Sequence, residues 1–130
     1  MSRDRGVRLQ NALAAYLRTW WPAAESAGSG RNGRDVLHTP GVWFENKATA
    51  DGEHRPGQFM RQAVKGAESA HCNSGFAPCN CVPDLPVVVW WPPGVGAERP
   101  ENAIAMVPLD TLMHLLELAE YTPRNEDVIV

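Results

Sequence analysis

Cysteine is scarce in this chain. There are three in 130 residues, and an odd, small number argues against a disulfide framework as the source of stability. Long apolar runs are missing too. No stretch approaches the ~20 unbroken apolar residues that a membrane helix needs, so no membrane partner is expected. The opening residues MSRDRGVRLQ lack the apolar centre of a secretion signal, and the expectation is a soluble, cytoplasmic protein. Charge of one sign is not in excess either: 12 Lys and Arg stand against 15 Asp and Glu, a net charge of −3. That excludes a strongly basic nucleic-acid coat protein. It does not exclude a nucleic-acid enzyme with a local basic patch, because the local field matters more than the sum. No internal repeat and no long linker divides the chain, so residues 1–130 are read as a single domain.

What is present is a 44% hydrophobic complement, enough for one core, broken by 11 glycines and 11 prolines into short elements. Leu9, Leu13, Tyr16, Leu17 and Trp20 recur at three- and four-residue steps and predict a first helix over residues 5–20. Asp4 is its expected N-cap and Pro22 its stop. Residues 26–34 are Gly- and Ser-rich and read as a loop or hairpin tip. Residues 35–38 and 42–48, separated by the turn sequence Thr39-Pro40-Gly41, read as a hairpin. Pro56 opens a second helix, whose Phe59, Ala63, Ala67 and Ala70 give a narrow face suited to close packing on a sheet. Residues 71–85 read as an irregular insertion loop. Residues 86–91 and 103–107 read as strands, Asp110 as the cap of a last helix, and residues 123–130 as a tail. The expected fold is α/β, a small sandwich with an αβββαβ core, a mixed central sheet and a C-terminal helix.

The informative segment is GRNGRDVLHTPGVWFENKATA, residues 30–50. Asp35 precedes Glu45 by ten residues, and Lys47 follows two later. Side chains alternate along a strand, so Trp43, Glu45 and Lys47 share a face. A three-residue Thr39-Pro40-Gly41 loop sets Asp35 opposite Glu45. A two-residue Pro40-Gly41 loop, favoured by proline at the second turn position, sets it opposite Asn46 unless a bulge intervenes. Two converging carboxylates suit a hard divalent ion, which stabilises charge on a phosphodiester and acidifies a bound water. The plainer alternative is an ion pair at a strand end.

These residues resemble the PD-(D/E)XK nuclease superfamily, in particular its small phage Holliday-junction-resolvase-like endonucleases. Gly6 stands at that family's helix start. Residues 21–26, WPAAES, resemble the segment after helix one, with its glutamate at Glu25. Residues 33–35, GRD, stand where the family shows a Gly-Asp pair. Residues 44–47, FENK, match the apolar-Glu-x-Lys motif. Residues 61–63, RQA, resemble the following helix, where a glutamine faces the site. The likeness runs over residues 5–107 and implies a restriction-endonuclease-like sandwich.

The resemblance implies that Asp35 and Glu45 bind Mg²⁺ or Mn²⁺, with the backbone carbonyl of Asn46. It implies that Lys47 positions or helps deprotonate the water attacking phosphorus in line with the leaving 3′ oxygen, and that Gln62 holds the lysine or the metal's water shell. It also implies branched or junction DNA as substrate, a homodimer to make two opposed cuts, and the host cytoplasm as location. The chain departs from the pattern at Gln10, where the family usually carries a glutamate. Gln10 and Glu25 are therefore additional candidate ligands. Arg34 replaces a smaller residue. It belongs with Arg31, Arg55, Arg61 and Lys65 to the basic residues placed to contact DNA phosphates.

His71, Cys72, Cys79 and Cys81 lie in the order H-C-x₆-C-x-C. They supply four possible zinc ligands but not the paired C-x₂-C spacing of common zinc modules. An unliganded loop is expected, with structural Zn²⁺ as the alternative. Core packing is the expected role of at least one tryptophan in each of the pairs Trp20–Trp21 and Trp90–Trp91. Two rival functions remain: a DNA-binding module of the same fold with weakened catalysis, and a zinc-stabilised interaction protein.

Overall fold

A computed structural model describes residues 2–27, 34–48, 55–70 and 82–122. The order of elements is α1 (Ser2–Leu17), β1 (Glu25–Ser26), β2 (Val36–Leu37), β3 (Val42–Lys47), α2 (Pro56–Ala70), β4 (Leu85–Trp90), a short 3₁₀ turn (Pro100–Asn102), β5 (Ile104–Met106) and α3 (Leu109–Leu118). The fold is mixed α/β. A three-stranded sheet runs in the order β3-β4-β5, and β1 and β2 form a separate antiparallel pair. β3 and β4 are parallel, with Val42 beside Leu85 and Lys47 beside Trp90. β4 and β5 are antiparallel. The parallel pair needs a crossover, and α2 supplies it.

Alternation along the strands sorts the core into two layers. Phe44, Val87 and Val89 turn towards α1 and pack with Leu9, Leu13, Ala14 and Leu17. Trp43 and Val88 turn the other way, onto Ala63 and Ala67 of α2. Helices thus cover both faces of the sheet. Trp91, fully buried, closes the α1 layer, and Trp21 stacks edge-on against Phe44 with ring centroids 5.6 Å apart. Trp20 is 57% exposed. One tryptophan of each pair is therefore core, as expected.

Several boundaries differ from the sequence reading. α1 begins at Ser2, which puts Asp4 in its first turn rather than at the cap, and ends at Leu17. α3 begins at Leu109, so Asp110 is likewise in the first turn, where its Oδ1 accepts the Thr111 N–H at 2.8 Å. β4 begins at Leu85, the last residue assigned to the insertion loop. The expected hairpin is the larger correction. The Thr39-Pro40-Gly41-Val42 turn forms, closed by the Val42 N–H donating to the Thr39 carbonyl at 3.1 Å, with Gly41 at φ +95° as a Pro-Gly turn of this kind requires. Yet β2 ladders with β1, not with β3. The chain kinks at His38, φ +65°, and no ladder between β2 and β3 forms, although the Asp35 N–H still donates to the Phe44 carbonyl at 3.3 Å.

α3 is apolar on nearly every side but contains no buried residue; Leu109, Leu112, Met113, Leu115 and Leu118 are all exposed. It ends in a Schellman closure. The Tyr121 N–H donates to the Leu116 carbonyl, the Glu120 N–H to that of Glu117, and Glu120 holds φ +63°.

Candidate functional site

The C-terminal half of β3 gathers the chemically interesting side chains. The odd-numbered residues Trp43, Glu45 and Lys47 face α2, and the even-numbered Phe44 faces α1. Glu45 is only 5% exposed. Its Oε1 accepts the Trp43 indole N–H at 3.1 Å, and its Oε2 lies 3.8 Å from Lys47 Nζ. Lys47 Nζ donates to Gln62 Oε1 on α2 at 2.8 Å and sits 5.3 Å from the centre of the Phe59 ring. The lysine is therefore pinned between a strand carboxylate and a helix amide, its stem half-buried.

Asp35 enters from the other edge of β3. Its N–H donates to the Phe44 carbonyl at 3.3 Å, and its Oδ2 accepts the Asn46 N–H at 2.7 Å. A strict ladder from the Pro40-Gly41 turn would oppose Asp35 to Asn46. The kink at His38 shifts that register, and the aspartate reaches Asn46 with its side chain instead. Successive carbonyls along β3 point to opposite edges. That of Lys47 accepts the Trp91 N–H on the β4 side. That of Asn46 therefore points, like Phe44's, to the Asp35 side. The Asn46 side chain turns away, its Oδ1 accepting the Trp91 indole N–H at 2.6 Å.

Both carboxyls are held above the ordinary range. Burial is the main cause for each. For Glu45 the Trp43 N–H opposes burial, the negative charge of Asp35 adds to it, and the Lys47 ammonium counters it. For Asp35 the Asn46 N–H and the Lys47 charge oppose burial. The charge of the same lysine thus acts on both acids. Desolvated, mutually repelling carboxylates are short of positive charge, which is the environment a divalent cation relieves. The donor set fits a hard ion: two carboxylates and a backbone carbonyl are all oxygen donors, leaving further positions to water. Among the described residues, no set of three or more His, Cys, Asp or Glu side chains is gathered for a metal, so two acids are what the site offers.

The other candidates divide. Glu25 is exposed on β1 and pairs with His38, whose Nε2 lies 3.3 Å from Glu25 Oε1. The Gln10 amide donates to Ser26 Oγ at 2.9 Å, tying α1 to β1. Arg34 has a protein partner: its guanidinium donates to Asp84 Oδ2 at 2.8 Å and lies 4.9 Å from the centre of the Trp43 ring. Arg61 and Lys65 are exposed on α2, and Arg55 is exposed just before it. Arg31, His71, Cys72, Cys79 and Cys81 lie outside the described residues, and the zinc alternative with them.

Sequence reasoning did not find the indole bond to Glu45, although the shared face of Trp43 and Glu45 was its signal. Nor did it find Gly66, where an added Cβ would come 2.6 Å from the Trp43 ring. The glycine is what lets α2 lie flat on that indole. The Trp91–Asn46 bond spans 45 residues and left no local trace. Among the described residues, no helix is long and apolar enough to cross a membrane. Comparison with protein-family models, curated proteins and solved structures gave no significant match.

Proposed function

We propose that the protein is a metal-dependent endonuclease that hydrolyses phosphodiester bonds in branched or junction DNA, built on a restriction-endonuclease-like sandwich. One observation carries the reading: at the end of β3, Glu45 Oε2 lies 3.8 Å from Lys47 Nζ, Asp35 Oδ2 accepts the Asn46 N–H between them in sequence at 2.7 Å, and Gln62 holds the lysine at 2.8 Å. An incidental ion pair at a strand end would not require a second, half-buried acid held by its carboxylate to the backbone of Asn46, the residue next to Glu45.

In this reading Asp35, Glu45 and the Asn46 carbonyl hold Mg²⁺ or Mn²⁺. The ion, when bound, supplies Lewis-acid stabilisation of the phosphate and lowers the pKa of a water. Gln62 aims the Lys47 ammonium. Lys47 positions the attacking water and neutralises phosphate charge. Arg61 and Lys65, on the exposed side of the helix that carries Gln62, and Arg55 just before it would grip the backbone without reading sequence. Two opposed cuts across a junction call for two copies of the chain, and sedimentation of the purified protein tests for that pair.

The decisive experiment is nicking of a four-way junction in Mg²⁺, with Lys47→Ala as control. Metal-dependent cutting lost in that variant supports the proposal; cutting indifferent to metal and to Lys47 overturns it. Gln10 favours a second reading, a junction-binding module that does not cut. An amide stands where the related pattern has an acid, and it is engaged with Ser26. Tight junction binding without cleavage in Mg²⁺ or Mn²⁺ would select it.

A further inference from the structure

The Glu45 carboxylate is not free to turn. Its Oε1 is taken by the Trp43 indole N–H at 3.1 Å, and the indole is itself locked. Trp43 is 4% exposed. Gly66 lies against its six-membered ring with no room for a methyl group, since an added Cβ would stand 2.6 Å from Cζ2 and 2.8 Å from Cε2. The Arg34 guanidinium lies 4.9 Å from the ring centre and is anchored by Asp84 at 2.8 Å. A chain of contacts, Asp84 to Arg34 to Trp43 to Glu45, therefore fixes which oxygen of the glutamate faces Lys47. That oxygen is Oε2.

We infer that Trp43 is a positioning residue that sets the cation preference of the site, by fixing the orientation of Glu45 and engaging Oε1 so that Oε2 is its preferred metal oxygen. The inference rests on the metal-binding part of the proposed function. Mg²⁺ is small, demands near-octahedral geometry and keeps several waters, so one oxygen from each carboxylate suits it. Ca²⁺ takes six to eight oxygens and profits from a carboxylate that chelates through both. A glutamate whose Oε1 already accepts an N–H offers Mg²⁺ the one oxygen it needs and weakens the second contact from which Ca²⁺ profits. Outer groups that orient a ligand commonly change metal affinity by about 10–100-fold when removed.

The test is Trp43→Phe, which keeps an aromatic ring in the layer and deletes the N–H. Mg²⁺ and Ca²⁺ affinities are measured by calorimetry on the whole chain without DNA, so no turnover enters the readout. The expected result is a fall of about tenfold or more in the ratio of Mg²⁺ to Ca²⁺ affinity, as Glu45 turns to chelate calcium. General loosening of the site weakens both ions alike and leaves the ratio unchanged, and that outcome overturns the assignment to Trp43 while the metal site itself stands. Absence of either ion at Asp35 and Glu45 in the unaltered protein overturns both the inference and the reading beneath it. Gly66→Ala guards against a folding failure of the first variant. It retains every polar group and pushes the indole off Glu45, so it should shift the ratio in the same direction; an unshifted ratio counts against Trp43.

Discussion

The Asp35 carboxylate reaches Asn46, not through a strand ladder but by accepting its backbone N–H at 2.7 Å. This one bond lays the aspartate against the residue between Glu45 and Lys47 and so completes the site from outside the sheet. It also makes the site costly. The bond satisfies one oxygen of a carboxylate that burial still disfavours as an anion.

Removing that charge should therefore stabilise the fold. Asp35→Asn and Glu45→Gln each keep an oxygen acceptor for the Asn46 or Trp43 N–H and discard a desolvated anion. Each is expected to raise the stability of the metal-free protein at pH 7 by about 1 kcal/mol, or roughly 4 °C in melting temperature. Thermal melts in EDTA check this, and a lower melting temperature in both variants would contradict it.

The same shifts give a pH dependence with a definite sign. Both acids have folded-state values raised above their unfolded ones, so the folded protein holds more protons and these groups favour folding at low pH. Their contribution is complete below the ordinary carboxylate range and is lost as pH rises through the raised values. The metal-free protein should melt higher relative to Asp35→Asn at pH 5 than at pH 7. Equal differences at both pH values would show that Asp35 is not held above its ordinary range.

Under the proposed nuclease function, catalysis and binding should separate at Asp35. Asp35→Asn is expected to abolish cleavage of junction DNA while retaining binding in a gel-shift assay. Cutting at the unaltered rate would remove Asp35 from the mechanism. Gln62→Ala, which frees the Lys47 ammonium from its 2.8 Å partner, should lower kcat more than it weakens DNA binding.

Under the proposed junction binding, the basic residues should not behave alike. Arg61→Ala and Lys65→Ala, exposed on α2, should each weaken junction binding uniformly across sequences and reduce the salt slope by about 1. Arg34 is committed to Asp84 and the Trp43 ring, so Arg34→Ala should lower the melting temperature and leave the salt slope nearly unchanged.

Glu120 closes α3 in the left-handed region, φ +63°, where glycine is the usual occupant. Glu120→Gly is expected to raise stability by about 0.5–1 kcal/mol in urea unfolding. No gain would mean that the glutamate side chain compensates the strain.

Local chemistry alone made much of this legible. The apolar stripe of α1, the small-residue face of α2 and the apolar run of β4 were readable because each is a periodicity within one element. The common face of Trp43, Glu45 and Lys47 followed from strand alternation, which needs no knowledge of the rest of the chain. Tertiary structure decided the remainder. Whether Asp35 reached the edge of β3 at Asn46 depended on the kink at His38 and on β2 pairing with β1, and a one-residue change of register reverses every side chain. The clamp from Asp84 through Arg34 and Trp43 to Glu45, and the hold of Trp91 on Asn46, join segments up to 50 residues apart. Such contacts exist only once both faces of the sheet are covered and have no counterpart in any local pattern of residues.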